Sequence, residues 1–169
     1  MNSQITSKRR PALAALLMVL SASAVLAEDA KVNNVQFKGA FDGHDNGVVQ
    51  GATLVANASG AGTASHIGRF TYTTKATVDL TTGLGTGVFQ LVVANGDVIN
   101  GSFVGRGGET DTPNVGHIIE LVAITGGTGR FRGASGDCTL DRLVDETTVP
   151  NTLTSGSLTG TISTPASNN

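Results

Sequence analysis

The ionisable and nucleophilic side chains of this 169-residue chain are few, and their spacing excludes most familiar site chemistries. His44, His66 and His117 stand far apart, with no HxH or HxxxH pair, and the single Cys138 offers no CxxC. Zinc sites gather such ligands at short, regular spacings, so the sequence predicts neither a metal nor another cofactor. No serine lies in GxSxG, which leaves no nucleophile elbow. Gly126-Gly127-Thr128-Gly129-Arg130 has the look of a phosphate cradle, but it lacks the Gly-Lys-Ser/Thr end of a P-loop and no helical pattern follows it. The run Asp42 to Gly47 has the opening spacing of a calcium loop. It places His44 at the third position, however, and Thr53 where a bidentate glutamate is required, so it reads as a polar hairpin turn.

Ionisable residues inside apolar strands are more informative. His117 shares a face with Val115, Ile119 and Leu121, while Glu120 falls on the opposite face with Ile118, Val122 and Ile124. One of the two must lie among apolar neighbours, where an ionisable group is a candidate acid or base. The alternative for Glu120 is an ion pair with an arginine or Lys75 at a wet surface or subunit contact. Tyr72 is either core filler with a hydrogen-bonded hydroxyl or a polar handle in a pocket. With Arg106, these residues form the candidate set for a ligand cavity: Tyr72, His117, Glu120 and Arg106.

The elements that must position them are strands. Past Glu28 no helical period occurs, and alternation is the rule. In Gly68–Leu80, Phe70, Tyr72, Ala76, Val78 and Leu80 share one face, and Arg69, Thr71, Thr73, Lys75, Thr77 and Asp79 the other. Eight strands are expected, at about 34–41, 48–56, 68–80, 87–94, 97–105, 115–125, 138–144 and 153–163. Turns are expected at Asp42-Gly43, 57–62, 82–85, Asn95-Gly96, 107–113, 126–136 and Pro150-Asn151, with Asn95-Gly96 as a two-residue type I′ turn. Eight short antiparallel strands without helices suggest a sandwich or a closed barrel, and closure removes exposed edges. Glycines within strands fit the bends a small barrel needs.

Composition agrees: 23 glycines, six Phe, one Tyr, no Trp, and only 14% charged residues. Residues 1–27 read as a secretory signal peptide, with Lys8, Arg9 and Arg10 ahead of an apolar run and small residues before Glu28. The apolar stretch is shorter than the ~20 residues that span a bilayer. Residues 28–163 then form one domain and 164–169 a flexible tail. Without the three leader cations, eight cations face thirteen acids, a formal charge of −5. That balance lacks the footprint of a nucleic-acid binder or a polybasic membrane anchor. The expected location is secreted or periplasmic, with no membrane span after processing.

The stretch Ile124-Thr-Gly-Gly-Thr-Gly-Arg-Phe-Arg-Gly-Ala-Ser-Gly136, followed by Cys138-Thr-Leu140, resembles the GGTGxF turn of plant dirigent proteins. It is similar also to the corresponding segment of allene oxide cyclases. Ser65-His-Ile-Gly-Arg-Phe-Thr71 is similar to a THLGRFT segment of exported bacterial proteins in the same barrel group. The resemblance implies an eight-stranded antiparallel barrel with a hydrophobic cavity, often assembled as a trimer. Its turn residues, Gly126, Gly127, Gly129, Phe131, Gly133 and Gly136, read as structural, with Phe131 plugging an apolar gap. Neither family's catalytic residues are located by these two stretches. The function implied is binding of an apolar small molecule, with guidance of its cyclisation or isomerisation. A non-catalytic barrel with a filled interior is the alternative. The sixth strand is apolar on both faces, so a homo-oligomer (trimer or dimer) is expected, with one of His117 and Glu120 in the cavity and the other near the interface.

Overall fold

The computed structural model describes residues 32–165. The expected leader, residues 1–27, lies outside them. Eight strands are connected in chain order: β1 (Val32–Gln50), β2 (Thr53–Ala64), β3 (Gly68–Asp79), β4 (Leu84–Val93), β5 (Val98–Glu109), β6 (Val115–Gly127), β7 (Ser135–Asp145) and β8 (Asn151–Pro165). Every neighbouring pair is antiparallel, and β8 returns to β1 to close the barrel. The closing ladder runs from Val32 opposite Pro165 to Asn46 opposite Asn151, so β8 extends two residues past its expected end into the supposed tail.

Alternation along each strand sorts side chains between interior and exterior. All six phenylalanines and Tyr72 turn inward, and an eight-stranded barrel is just wide enough to be filled by side chains. The six of these aromatics that lie on strands each have an inward glycine directly across a ladder: Phe37–Gly160, Phe41–Gly62, Phe70–Gly62, Tyr72–Gly60, Phe89–Gly101 and Phe103–Gly87. A Cβ at Gly60 would come within 2.7 Å of the Tyr72 ring, and one at Gly101 within 2.5 Å of the Phe89 ring. The high glycine content therefore serves interior packing as well as turns.

Several expected turns are corrected for this reason. Asp42–Gly47 lies within β1, and residues 57–62 lie within β2. Gly43, Gly60 and Gly62 face inward beside aromatic rings, while Asp42, His44, Asn46 and Asn57 face water, so turn-type composition here is strand alternation. The β1–β2 reversal falls instead at Gly51-Ala52, where Gly51 has φ +64°. At Asn95-Gly96 only Gly96 has positive φ, +88°. Its N–H donates to Val93 O (2.8 Å) and Val93 N–H to Asp97 O (2.9 Å), giving a three-residue loop with glycine in the left-handed position, not a type I′ turn. Leu80, expected on the apolar face, sits exposed in the β3–β4 turn, and β5 continues to Glu109 before its turn.

One end of the barrel is stoppered. Phe37, Ile67, Phe70, Ile99, Phe131 and Ile162 are all buried there. Phe131 is carried by a 3-10 turn, Gly129–Phe131, in which Phe131 N–H donates to Thr128 O at 2.9 Å. Arg130 lies over the Phe131 ring, 4.6 Å from its centroid, and its Nη2 donates to Ile67 O at 2.6 Å. The 65–71 and 124–136 segments are thereby clasped together.

Gly129 has φ +54°, and a Cβ there would collide with the Asp97 carboxylate, which accepts the Arg130 N–H at 3.1 Å. Gly129→Val is expected to lower stability by about 1–3 kcal/mol through backbone strain. A denaturation midpoint equal to that of the wild type would show the turn to be unstrained.

Candidate functional site

Above the apolar stopper the interior carries a polar belt built from strands distant in sequence. Asp45 of β1, Glu120 of β6 and Arg142 of β7 all point inward. The Arg142 Nε and Nη2 each donate to Glu120, both at 3.3 Å, in a two-pronged pair. Its Nη1 donates to Asp45 Oδ2 at 2.6 Å and to Thr154 Oγ1 at 3.1 Å. The buried Thr154 hydroxyl donates onward to Leu143 O at 3.1 Å. Glycines make this crossing possible. Gly156, opposite Arg142, and Gly105, opposite Glu120, leave no Cβ where the Arg142 Cβ (2.6 Å) and Glu120 Cγ (2.7 Å) would otherwise be met.

Burial disfavours the Arg142 charge, but Glu120 and Asp45 outweigh it and hold the guanidinium above its ordinary pKa. Removing one partner of a buried pair leaves an uncompensated charge, a larger loss than the net worth of the pair.

Tyr72 lies beside the belt, 8% exposed, in edge contact with Phe41 at 5.6 Å between ring centroids. Its hydroxyl and Asp45 Oδ1 have no hydrogen-bond partner among the described residues, although both atoms are buried. Burial first, then the Asp45 carboxylate, pushes the Tyr72 phenol from 10.0 up to about 12. Burial likewise raises the Cys138 thiol to about 12, so this cysteine is an inert core residue. Between the belt and the stopper lies a cavity of about 70 Å³ with Phe41, Phe89, Leu91, Phe103 and Leu140 among its walls and Asp45, Tyr72, Glu120 and Arg142 on its polar side.

Of the four residues expected in a cavity, the structure brings Tyr72 and Glu120 into the interior. His117 and Arg106 are corrected. Both alternate outward, because their strand neighbours Ile118 and Gly105 turn inward. His117 Nε2 meets Asp141 Oδ1 at 2.8 Å on the outer wall, with the two side chains 40% and 59% exposed. An exposed pair of this kind contributes little stability. Sequence reasoning missed Asp45 and Arg142. Asp45 was hidden in an apparent turn. Arg142 carried a readable signal, since it shares the alternating face of Cys138, Leu140 and Val144.

Among the described residues, no three His, Cys, Asp or Glu side chains converge to hold a metal. No helix among them is long and apolar enough to cross a membrane. The outward residues of β1, β2, β3 and β8 include Lys38, Asp42, Asn46, Asn57, Lys75 and Ser157. No protein-family model, curated protein or solved structure matches the chain.

Two outcomes are expected. Tyr72 is the chain's single tyrosine and there is no tryptophan, so near-ultraviolet absorbance reports its ionisation alone. The midpoint should fall near 12, and the native fold's tighter hold on that proton should stabilise it fully below pH 10, with the contribution lost as pH rises to about 12. A midpoint near 10 in the folded protein would contradict the burial. Arg142→Met should cost about 3–5 kcal/mol in chemical denaturation, because two inward carboxylates lose their cation. An unchanged midpoint would show that the belt is not an electrostatic unit.

Proposed function

We propose that this protein is an exported barrel that binds an apolar small molecule in its interior and orients it by one polar wall. A single observation carries the proposal: an apolar cavity is lined by Tyr72 and Asp45, whose buried hydroxyl and Oδ1 are satisfied by no described residue. Binding sites are characteristically apolar with a few convergent polar groups, and buried polar groups in native proteins are almost always paired. The resemblance of the 124–136 and 65–71 segments to dirigent and allene oxide cyclase barrels supports the same function. It extends the proposal to guidance of a cyclisation or isomerisation, with Tyr72, Asp45 and Glu120 holding the ligand against the apolar wall. Export is supported by the leader-like composition of residues 1–27.

One observation favours the alternative of a filled, non-catalytic barrel. The cavity is only about 70 Å³, whereas sites for drug-sized ligands occupy roughly 300–1,000 Å³. The ligand must therefore be small or enter as a narrow chain.

The exterior supports self-association. Val88, Val104, Ile119, Leu121 and Leu143 are each between 44% and 61% exposed on the adjacent strands β4 to β7. Val104 and Leu121 are ladder partners, and Arg106, Ile119 and Asp141 form one row, so apolar surface is flanked by charges of both signs. We propose that this wall packs against another copy, with His117 at its margin.

Hexan-1-ol is expected to change Tyr72 fluorescence saturably in the wild type, and Ala58→Leu, which fills the cavity wall, should abolish the change while the fold persists. Light scattering of the same samples should give a dimer or trimer. No saturable response, together with a monomer, would leave the filled barrel as the better account.

A further inference from the structure

The charge on the polar wall constrains any head group placed against it. Its charge inventory is unbalanced: the Asp45 and Glu120 carboxylates face one guanidinium, that of Arg142. That guanidinium is already engaged. Nε and Nη2 are on Glu120, and Nη1 is on Asp45 and Thr154. A ligand carboxylate would thus find no free cationic fork and would be set against two like charges, which is unfavourable at low dielectric. Both groups left over can accept a hydrogen bond. Asp45 Oδ1 is acceptor-only when ionised, and the Tyr72 hydroxyl can accept as well as donate. The Tyr72 side chain is more than nine-tenths buried and faces the cavity, so the acidic pair is accompanied by an independent, unpartnered group. The remaining walls include the rings of Phe41, Phe89 and Phe103, and aromatic faces attract cations, more strongly when desolvated.

We infer that the cavity takes an apolar molecule headed by a protonated primary amine, whose ammonium donates to Asp45 Oδ1 and the Tyr72 hydroxyl while its hydrocarbon part lies against the phenylalanines. This rests on the ligand-binding function proposed above and names its substrate class. The ammonium supplies the cation the belt lacks and satisfies both orphaned oxygens. A neutral alcohol can donate to Asp45 Oδ1 and accept from the Tyr72 hydroxyl, but it leaves the charge uncompensated. The small cavity limits the buried portion to a short chain or a single ring.

Three probes of matched chain length separate the possibilities: hexylamine, hexan-1-ol and hexanoate, each titrated at pH 7 against the protein purified from the expressing cells, with Tyr72 fluorescence and calorimetry as readouts. Hexylamine should bind about tenfold or more tightly than hexan-1-ol, as expected for a charge-assisted hydrogen bond in place of a neutral one, and hexanoate should not bind measurably. Asp45→Asn should erase the preference for the amine and retain the alcohol. Tyr72→Phe, read by calorimetry, keeps the carboxylate and should weaken the amine several-fold, which keeps the test open if the Asp45 variant fails to fold. Equal binding of amine and alcohol, or tighter binding of hexanoate, overturns the head-group inference and leaves ligand binding standing. Failure of all three probes to bind overturns both.

Discussion

A closed eight-stranded barrel has little interior to share, and here that space is divided between rings and glycines. Each inward aromatic on a strand stands opposite a residue without a side chain, so the rings reach the axis without pushing the strands apart. Cross-strand pairs are the unit of sheet stabilisation, and in this molecule the effective pair is one large partner and one absent one. Replacing either member has consequences across the ladder. A side chain at Gly60 meets the Tyr72 ring, and one at Gly105 or Gly156 meets a member of the polar belt.

The belt depends on the same arrangement. Arg142 can turn across β8 because Gly156, its ladder partner there, has no side chain, and Glu120 can fold inward because Gly105 lies beside it on β5. Electrostatics then completes what packing permits. A buried arginine is tolerable only when its donors are used, and the Arg142 fork is distributed over two carboxylates and a threonine. The residues that carry the surplus carboxylate oxygen and the neighbouring phenol line the interior cavity. Stability and candidate chemistry thus meet at the same residues, a common feature of functional sites.

The exterior is as uneven as the interior. Hydroxyl and amide side chains predominate along β8, β1, β2 and β3, while branched apolar residues accumulate on β4 to β7. Monomeric proteins seldom expose large contiguous apolar patches. The His117–Asp141 pair belongs to this outer wall, separated from Glu120 by the thickness of the sheet, although His117 and Glu120 are only three residues apart in the chain.

The amino-acid sequence by itself determined the strand content, the number of strands, their antiparallel order and the alternation that sorts one side chain from the next. These follow from the period-two geometry of a single strand, which is local. It also exposed the 124–136 turn, because a run of glycines around Phe131 signals close backbone approach wherever it occurs. Which strand residues face which partner was decided only by closure and register. Asp42-Gly43 and Gly60 to Gly62 have the composition of turns, and only the rings opposite them show why those glycines belong in strands. The sixth strand was apolar on both faces, so alternation alone could not say whether His117 or Glu120 turned inward. Arg142 decides it, by offering a buried cation to Glu120 from the adjacent strand. Asp45 and Arg142 lie 97 residues apart, and an ion pair between them exists because the barrel closes β8 onto β1. That is a long-range constraint, and no local pattern encodes it.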